Sequence, residues 1–228
     1  MKSRRWSLGA VCILLVIAVA LAACSATIRL LKEMKARGDQ QDYAWMASQE
    51  VSCEPSDEGC NQLHLLKGDA CFRLAKQDID ARRHYECAAT HLQEGIRQTQ
   101  TWRLDNLDLN RAQTYENLGE TLRQWQDMEQ GAQADRLTQR LVETAGEFLR
   151  AEPGNVAGIY FLASARFTTL RSALLHPERS PTVCQDLAAI LQLLEGALPR
   201  ARGTRYEDNY LRLQRDIEGA KRTIPRCA

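Results

Sequence analysis

Four residues in the first half of the chain could bind a transition metal. His84, Cys87 and His91 stand at positions i, i+3 and i+7, which places them on one face of a helix. With Cys71 they would offer two imidazoles and two thiolates, a set that suits zinc or copper. The alternative is a Cys71–Cys87 disulfide beside solvated histidines. We favour the disulfide, because the N-terminus has the pattern of an export signal and exported cysteines are usually oxidised. We predict no metal and no cofactor.

Catalytic groups are not recognisable in the sequence. It contains no Gly-rich phosphate loop, no His-Glu-x-x-His, no Gly-x-Ser-x-Gly and no Cys-x-x-Cys-His haem-attachment motif. Glu116 and Glu120 stand four residues apart and could act as an acid and a base, but this spacing is typical of a solvated helix face. We therefore predict that the protein is not an enzyme.

The N-terminus has the pattern of an export signal. Lys2, Arg4 and Arg5 precede an uncharged stretch from Leu8 to Ala23, which is shorter than the roughly 20 apolar residues of a membrane-spanning helix. A slightly short, uncleaved N-terminal anchor is the alternative. In either case the rest of the chain is expected to be exported.

The end of this stretch, Leu21-Ala-Ala-Cys24, resembles the bacterial lipobox. In lipoproteins with that motif the signal is cut before the cysteine, whose thiol is lipidated. The resemblance implies a signal peptide over 1–23, a mature chain over 24–228, and lipid, including palmitate, on Cys24. An aspartate after the cysteine favours the inner membrane in such lipoproteins. Ser25 therefore implies anchoring in the outer membrane, facing the periplasm.

Six cysteines remain outside the signal peptide and the lipid position. Fifteen pairings of six cysteines are possible, but helical hairpins would favour local partners. The predicted disulfides are Cys53 with Cys60, Cys71 with Cys87, and Cys184 with Cys227. Each would contribute about 2 to 4 kcal/mol to stability.

Charge is balanced over the whole chain but not along it. The 228 residues carry 30 basic and 29 acidic side chains, which excludes a strongly basic nucleic-acid binder and an acidic disordered tail. Residues 105–152 have a net charge of −5, and residues 200–226 a net charge of +4. This asymmetry could steer a charged partner, orient the chain at anionic lipid, or be ordinary scatter.

Helical periodicity, interrupted by turn residues, divides the mature chain into hairpins. The predicted pairs of helices are 28–36 with 40–51, 63–74 with 79–96, 105–126 with 135–150, and 156–175 with 183–198, followed by a single helix over 206–223. The pattern predicts an all-α fold of about four helix hairpins plus a C-terminal capping helix, without a second domain.

Several of these segments resemble tetratricopeptide repeats (TPR), whose unit is a helix hairpin with small residues where the helices cross. The matching residues are Leu65, Gly68, Phe72, Ala81, Tyr85 and Ala88 in one hairpin, Tyr115, Leu118 and Gly119 in the next, and Pro153, Leu162 and Ala163 at a joint between hairpins. The resemblance implies an α-solenoid. An irregular helical array of another family is the alternative.

In TPR proteins the first helix of each hairpin lines a concave binding surface. The resemblance therefore implies a partner-binding set of Leu65, Asp69, Phe72, Glu116, Glu120, Arg123, Tyr160, Ser164 and Phe167. Aromatic and charged side chains together suit an extended peptide or a partner helix. A one-residue error in register would instead place Phe72 and Phe167 in the core between hairpins.

These features predict a lipid-anchored periplasmic scaffold that binds another envelope protein and helps to assemble an envelope complex. Its partners would be envelope proteins and, through the lipid, a membrane, but no nucleic acid. A ligand-binding accessory of a transporter is a second hypothesis. A metal or redox carrier that uses His84, Cys87 and His91 is a third.

Overall fold

The computed structural model describes residues 26–77, 80–102, 109–176, 178 and 180–227. Predictions that fall on 1–25, including the lipobox and Cys24, lie outside the described residues. The described part of the chain contains helices and no strand, which confirms the all-α class. None of its helices is both long and apolar enough to cross a bilayer.

Ten α-helices follow one another in the described residues. In chain order they are α1 (26–39), α2 (Tyr43–Ser48), α3 (Cys60–Ala75), α4 (Ala81–Gln98), α5 (Arg111–Asp127), α6 (Gly131–Ala151), α7 (Val156–Thr169), α8 (Arg171–Leu175), α9 (Val183–Ala201) and α10 (Glu207–Thr223), with a short 3-10 helix at Pro225–Cys227. They belong to two compact units, of which the first ends at Leu109 and the second begins at Asn110.

In the first unit, α3 and α4 form a closely packed antiparallel hairpin. A Cβ added at Gly68 would lie 2.8 Å from the backbone nitrogen of Leu92, and one added at Gly95 would lie 2.7 Å from Cγ of Leu65. Because real Cβ atoms do not come this close, only glycine allows the two helices to approach to this distance. Next to the hairpin, α1 and α2 bury Met34 and Met46 against α3.

The second unit contains α5–α10. In it, α5 packs against α6, and α7 packs against α6, α9 and α10. A Cβ added at Gly119 of α5 would collide with the ring of Phe161 on α7. The α7 helix begins after Pro153 and Gly154, where the side chain of Asn155 accepts hydrogen bonds from the backbone nitrogens of Ala157 and Gly158 at 2.9 and 3.2 Å.

All three predicted disulfides are present. The Cα atoms are 5.9 Å apart in Cys53–Cys60, 5.9 Å in Cys71–Cys87 and 5.2 Å in Cys184–Cys227. The first bridges a loop, the second joins α3 to α4, and the third ties the start of α9 to the end of the chain. Each joins neighbouring elements, as local pairing predicts.

Three predicted helices are shorter in the structure. In the one over 105–126, α5 begins at Arg111, because Asn110 caps it by accepting from the backbone nitrogen of Gln113 at 2.8 Å. The predicted helix over 40–51 is reduced to α2, because Gln41 has a left-handed φ of 58° and Asp42 caps the helix by accepting from the backbone nitrogen of Trp45 at 3.2 Å. The predicted helix over 156–175 divides at Leu170, whose backbone nitrogen donates to Phe167 at 3.1 Å and so tightens the last turn of α7.

Candidate partner-binding surface

Arg123 on α5 is the centre of a charged cluster in the second unit. Its Nε and Nη2 donate to the two carboxylate oxygens of Glu120 at 3.2 and 3.0 Å, and its Nη1 donates to Asp127 at 3.1 Å. Burial disfavours the charge of Arg123, but the hydrogen bonds and charge of Glu120 outweigh this effect and raise its pKa. Arg123 therefore keeps its positive charge at any physiological pH.

Tyr160 on α7 lies beside this cluster. Burial raises the pKa of its hydroxyl, and the charge of Arg123 opposes that effect. The Tyr160 ring is 8% exposed, and its centroid lies 5.8 Å from that of Tyr206 and 6.2 Å from that of Tyr210 on α10. Aromatic packing thus joins α7 to α10 next to the charges of α5.

A second ion pair extends the charged cluster toward α10. Arg205, in the turn before α10, donates through Nη2 to Glu116 on α5, and its guanidinium lies 5.2 Å from the centroid of the Tyr206 ring. Burial, followed by the charge of Glu116, raises the pKa of Tyr206. We call the group formed by Glu116, Glu120, Arg123, Tyr160, Arg205 and Tyr206 the α5–α7–α10 surface.

Four of the nine predicted partner-binding residues meet in this surface: Glu116, Glu120, Arg123 and Tyr160. Ser164 and Phe167 follow Tyr160 on α7 by four and seven residues, which places all three on one face of the helix, and both are partly exposed. Arg205 and Tyr206 were not predicted. They lie 89 or more positions after Glu116 in the sequence, and no local pattern connects them.

The three predicted residues of α3 are buried, as Tyr160 is. Leu65 is fully buried against Gly95 of α4, so its assignment to an open surface is corrected: its side chain belongs to the hairpin core. Asp69 and Phe72 are each 8% exposed. Asp69 accepts a hydrogen bond from Nε of Arg73 at 2.7 Å, which satisfies its carboxylate within its own helix.

The metal-binding alternative requires free thiolates at Cys71 and Cys87. Cys71 and Cys87 form a disulfide, so neither offers a thiolate to a cation. Elsewhere in the described residues, ligand atoms of Cys53, Cys60 and His64 lie within 4.8 Å of one another, but these two cysteines are also bonded to each other.

The structure also contains a histidine pair that the sequence did not predict. Nδ1 of His64 on α3 lies 2.9 Å from Nδ1 of His91 on α4, so one nitrogen donates to the other. Burial lowers the pKa of His64, and it lowers that of His91 to about 4. The pair is therefore neutral at pH 7.

Comparison with known proteins gives no assignment to a family. No family model matches the chain, and no curated protein or solved structure is significantly similar to it.

Proposed function

We propose that this protein is a lipid-anchored periplasmic scaffold with a TPR-like helical array that binds another envelope protein in the assembly of an envelope complex. Cys24 would carry the lipid, and Ser25 after it favours the outer membrane. The pairing of all six cysteines of the mature chain beyond Cys24 supports export, because disulfides persist in oxidising compartments.

The TPR-like interpretation is supported by the two regular hairpins. In α3–α4 and in α5–α6, helices of similar length follow each other through short turns, and small residues stand where helices approach. Gly68 lies where α3 approaches α4 and agrees with the small residue of a TPR hairpin, whereas a Cβ at Gly119 would meet Phe161 of α7 and not the paired helix α6. The third hairpin, α7 with α9, contains the additional short helix α8.

The observation that carries the proposal is the convergence of three helices on the α5–α7–α10 surface. Carboxylates, guanidinium groups and tyrosine rings stand next to one another, with Glu116 19% exposed and Arg123 21% exposed. The charged groups can hydrogen-bond the backbone and polar side chains of a peptide, while the rings of Tyr160 and Tyr206 are largely buried beside them. Tyrosine and arginine are also enriched where protein partners bind most tightly.

Site-specific crosslinking in intact cells tests this surface. A photoreactive residue at Ser164 should trap one defined partner, whereas the same group at Gln139, exposed on α6, should not. Glu120→Arg places like charge beside Arg123 and should reduce the crosslink from Ser164 several-fold. Equal trapping at Ser164 and Gln139, or trapping that E120R leaves unchanged, would contradict the proposal.

The anchor is tested separately. Cys24→Ala should release the chain from the membrane fraction into the soluble periplasm, with Ser25→Ala as the matched control that keeps the lipid position. Firm membrane retention of the Cys24 variant would contradict lipidation at this residue without bearing on the partner-binding surface.

A further inference from the structure

A groove of about 550 Å³ lies in the first unit, where α2 faces the α3–α4 hairpin. Small and apolar groups form most of its wall, including Ala44 and Ala47 of α2, Leu74 of α3 and the Cys71–Cys87 disulfide. Its volume is within the range of clefts that bind small molecules. The residues of the groove belong to the first unit and those of the α5–α7–α10 surface to the second, and a ligand in the groove goes beyond the proposed function.

The orientation of the groove follows from the hairpin. Because Cys71 is bonded to Cys87 in an antiparallel pair, Lys67 and His91 stand at one end, and Leu74 and His84 stand at the other. Lys67 and Leu74 are seven residues apart, which corresponds to about 10 Å along a helix. The groove thus has a cationic end at Lys67 and a less polar wall that extends from it.

Lys67 is a half-buried ammonium group with unused hydrogen-bonding capacity. An ammonium has three N–H donors, and within the described residues the only acceptor for Lys67 is the backbone oxygen of Gln49, at 2.5 Å. No described carboxylate lies within ion-pair distance of its Nζ. Burial lowers the pKa of Lys67, while the charge of Glu50 raises it.

A buried cation is costly unless an anion pairs with it. A carboxylate at this end of the groove would supply that anion and accept charge-assisted hydrogen bonds. The groove wall also contains one exposed basic and one exposed acidic side chain, Arg83 and Glu86 of α4. Because their charges are opposite, they do not favour an anionic over a cationic ligand. Lys67 therefore fixes where the negative group binds.

We propose that this groove binds a small organic anion, a carboxylate on an apolar chain, with the carboxylate at Lys67 and the chain along the Cys71–Cys87 disulfide. The ligand class follows from one cationic end and an apolar wall about two helical turns long. Free molecules of this kind fit an open groove of this volume, and an acidic side chain of a peptide is the competing occupant.

The probe is octanoate, compared with octan-1-ol, which has the same hydrocarbon chain and no charge. The protein is the mature chain carrying Cys24→Ala, observed through its backbone amide resonances. Octanoate should shift resonances of Ala47, Thr90 and neighbouring residues of the groove, and should bind at least tenfold more tightly than octan-1-ol. Lys67→Met keeps the length of the side chain but removes its charge.

In the Lys67→Met variant the affinity for octanoate should fall about tenfold or more, while the affinity for octan-1-ol stays unchanged. Lys32→Met, at an exposed lysine of α1, is the matched control and should bind octanoate normally. If octanoate binds no better than octan-1-ol, if K67M binds it as well as K32M does, or if the shifts lie in the second unit, the proposal is overturned.

A second variant keeps the test decisive if K67M does not fold. Ala44 is exposed at the wall of the groove, so Ala44→Phe should fill the groove and abolish octanoate binding without disturbing the core. Unchanged binding to A44F would overturn the proposal. So would tight binding of an acetylated glutamate peptide in the absence of octanoate binding, because it would assign the groove to a peptide.

Discussion

Acidification should loosen the α3–α4 hairpin through its histidine pair. With Nδ1 of His64 and Nδ1 of His91 only 2.9 Å apart, one proton can lie between them but two cannot. Burial is the largest cause of the lowered pKa of both rings, and Lys67 disfavours a further positive charge. Glu94 acts in the opposite direction, and Arg97, beside Glu94, adds to the effect of Lys67 on His64.

The size and sign of the effect follow from linkage. The pKa of His91 is about 4 in the folded chain against 6.5 for an unperturbed histidine. Between these values the unfolded chain binds more protons, so stability is complete above pH 6.5 and falls as the pH drops toward 4. The shift corresponds to an upper limit of about 3.4 kcal/mol. Because the ring is partly exposed, solvent screening reduces this to about 1 to 2 kcal/mol.

Amide hydrogen exchange can measure this loss locally. Protection of α3 and α4 amides should fall between pH 6.5 and pH 4 by more than that of α5 and α6 amides in the same sample. Because carboxylates also titrate in acid, the decisive quantity is the difference between the native chain and His91→Gln, which does not titrate. His84→Gln, on the same helix, is the matched control. If H91Q loses as much protection in acid as the native chain and H84Q do, the reasoning is refuted.

Three further perturbations test what stabilises each of the two units internally. Replacing Cys71 and Cys87 by alanine should lower the free energy of unfolding by about 2 to 4 kcal/mol, measured by urea denaturation; an unchanged midpoint would contradict a stabilising role of this bridge. Gly119→Ala should lower the free energy of unfolding by about 1 to 3 kcal/mol, because its Cβ meets Phe161. Gly196→Ala, which has open space around it on α9, should raise it by about 0.5 to 1 kcal/mol. Thermal melts that rank the two variants the other way would refute the packing argument. Asn155→Ala should cost about 1 kcal/mol through loss of the α7 cap, with Asn155→Asp, which can still cap, as the control in the same melts.

The sequence predicts local features well because their causes are local. The three disulfides join neighbouring elements, and a breaker-rich loop or a hairpin brings each pair together without help from the rest of the fold. The end of α6 is likewise determined by Pro153, since the residue before a proline avoids the helical conformation. The prediction of a helix over 40–51 is wrong in part, because the left-handed conformation of Gln41 is not apparent from composition.

Features that depend on register or on distant residues were less predictable. Leu65 was assigned to an open surface, but one residue turns a helix by about 100°, and its side chain faces Gly95 instead. His64 and His91 are 27 residues apart, and Glu116 and Arg205 are 89 apart. Their contacts depend on how helices pack, which spacing in the sequence does not contain.

In the proposed function, the charges of the α5–α7–α10 surface contribute to recognition more than to stability. Exposed or half-exposed ion pairs contribute about 0 to 1 kcal/mol each, and Asp127, with 48% of its side chain exposed, belongs to this class. The ion pairs of Arg123 and Arg205 nevertheless hold both guanidinium groups in fixed positions next to tyrosine rings. Because these side chains are already oriented, the binding of a partner there would cost this protein less side-chain entropy. Complementary charges of this kind mainly set specificity and the association rate. This reasoning favours Glu120→Arg as a variant that weakens partner binding while the tyrosine packing between α7 and α10 remains.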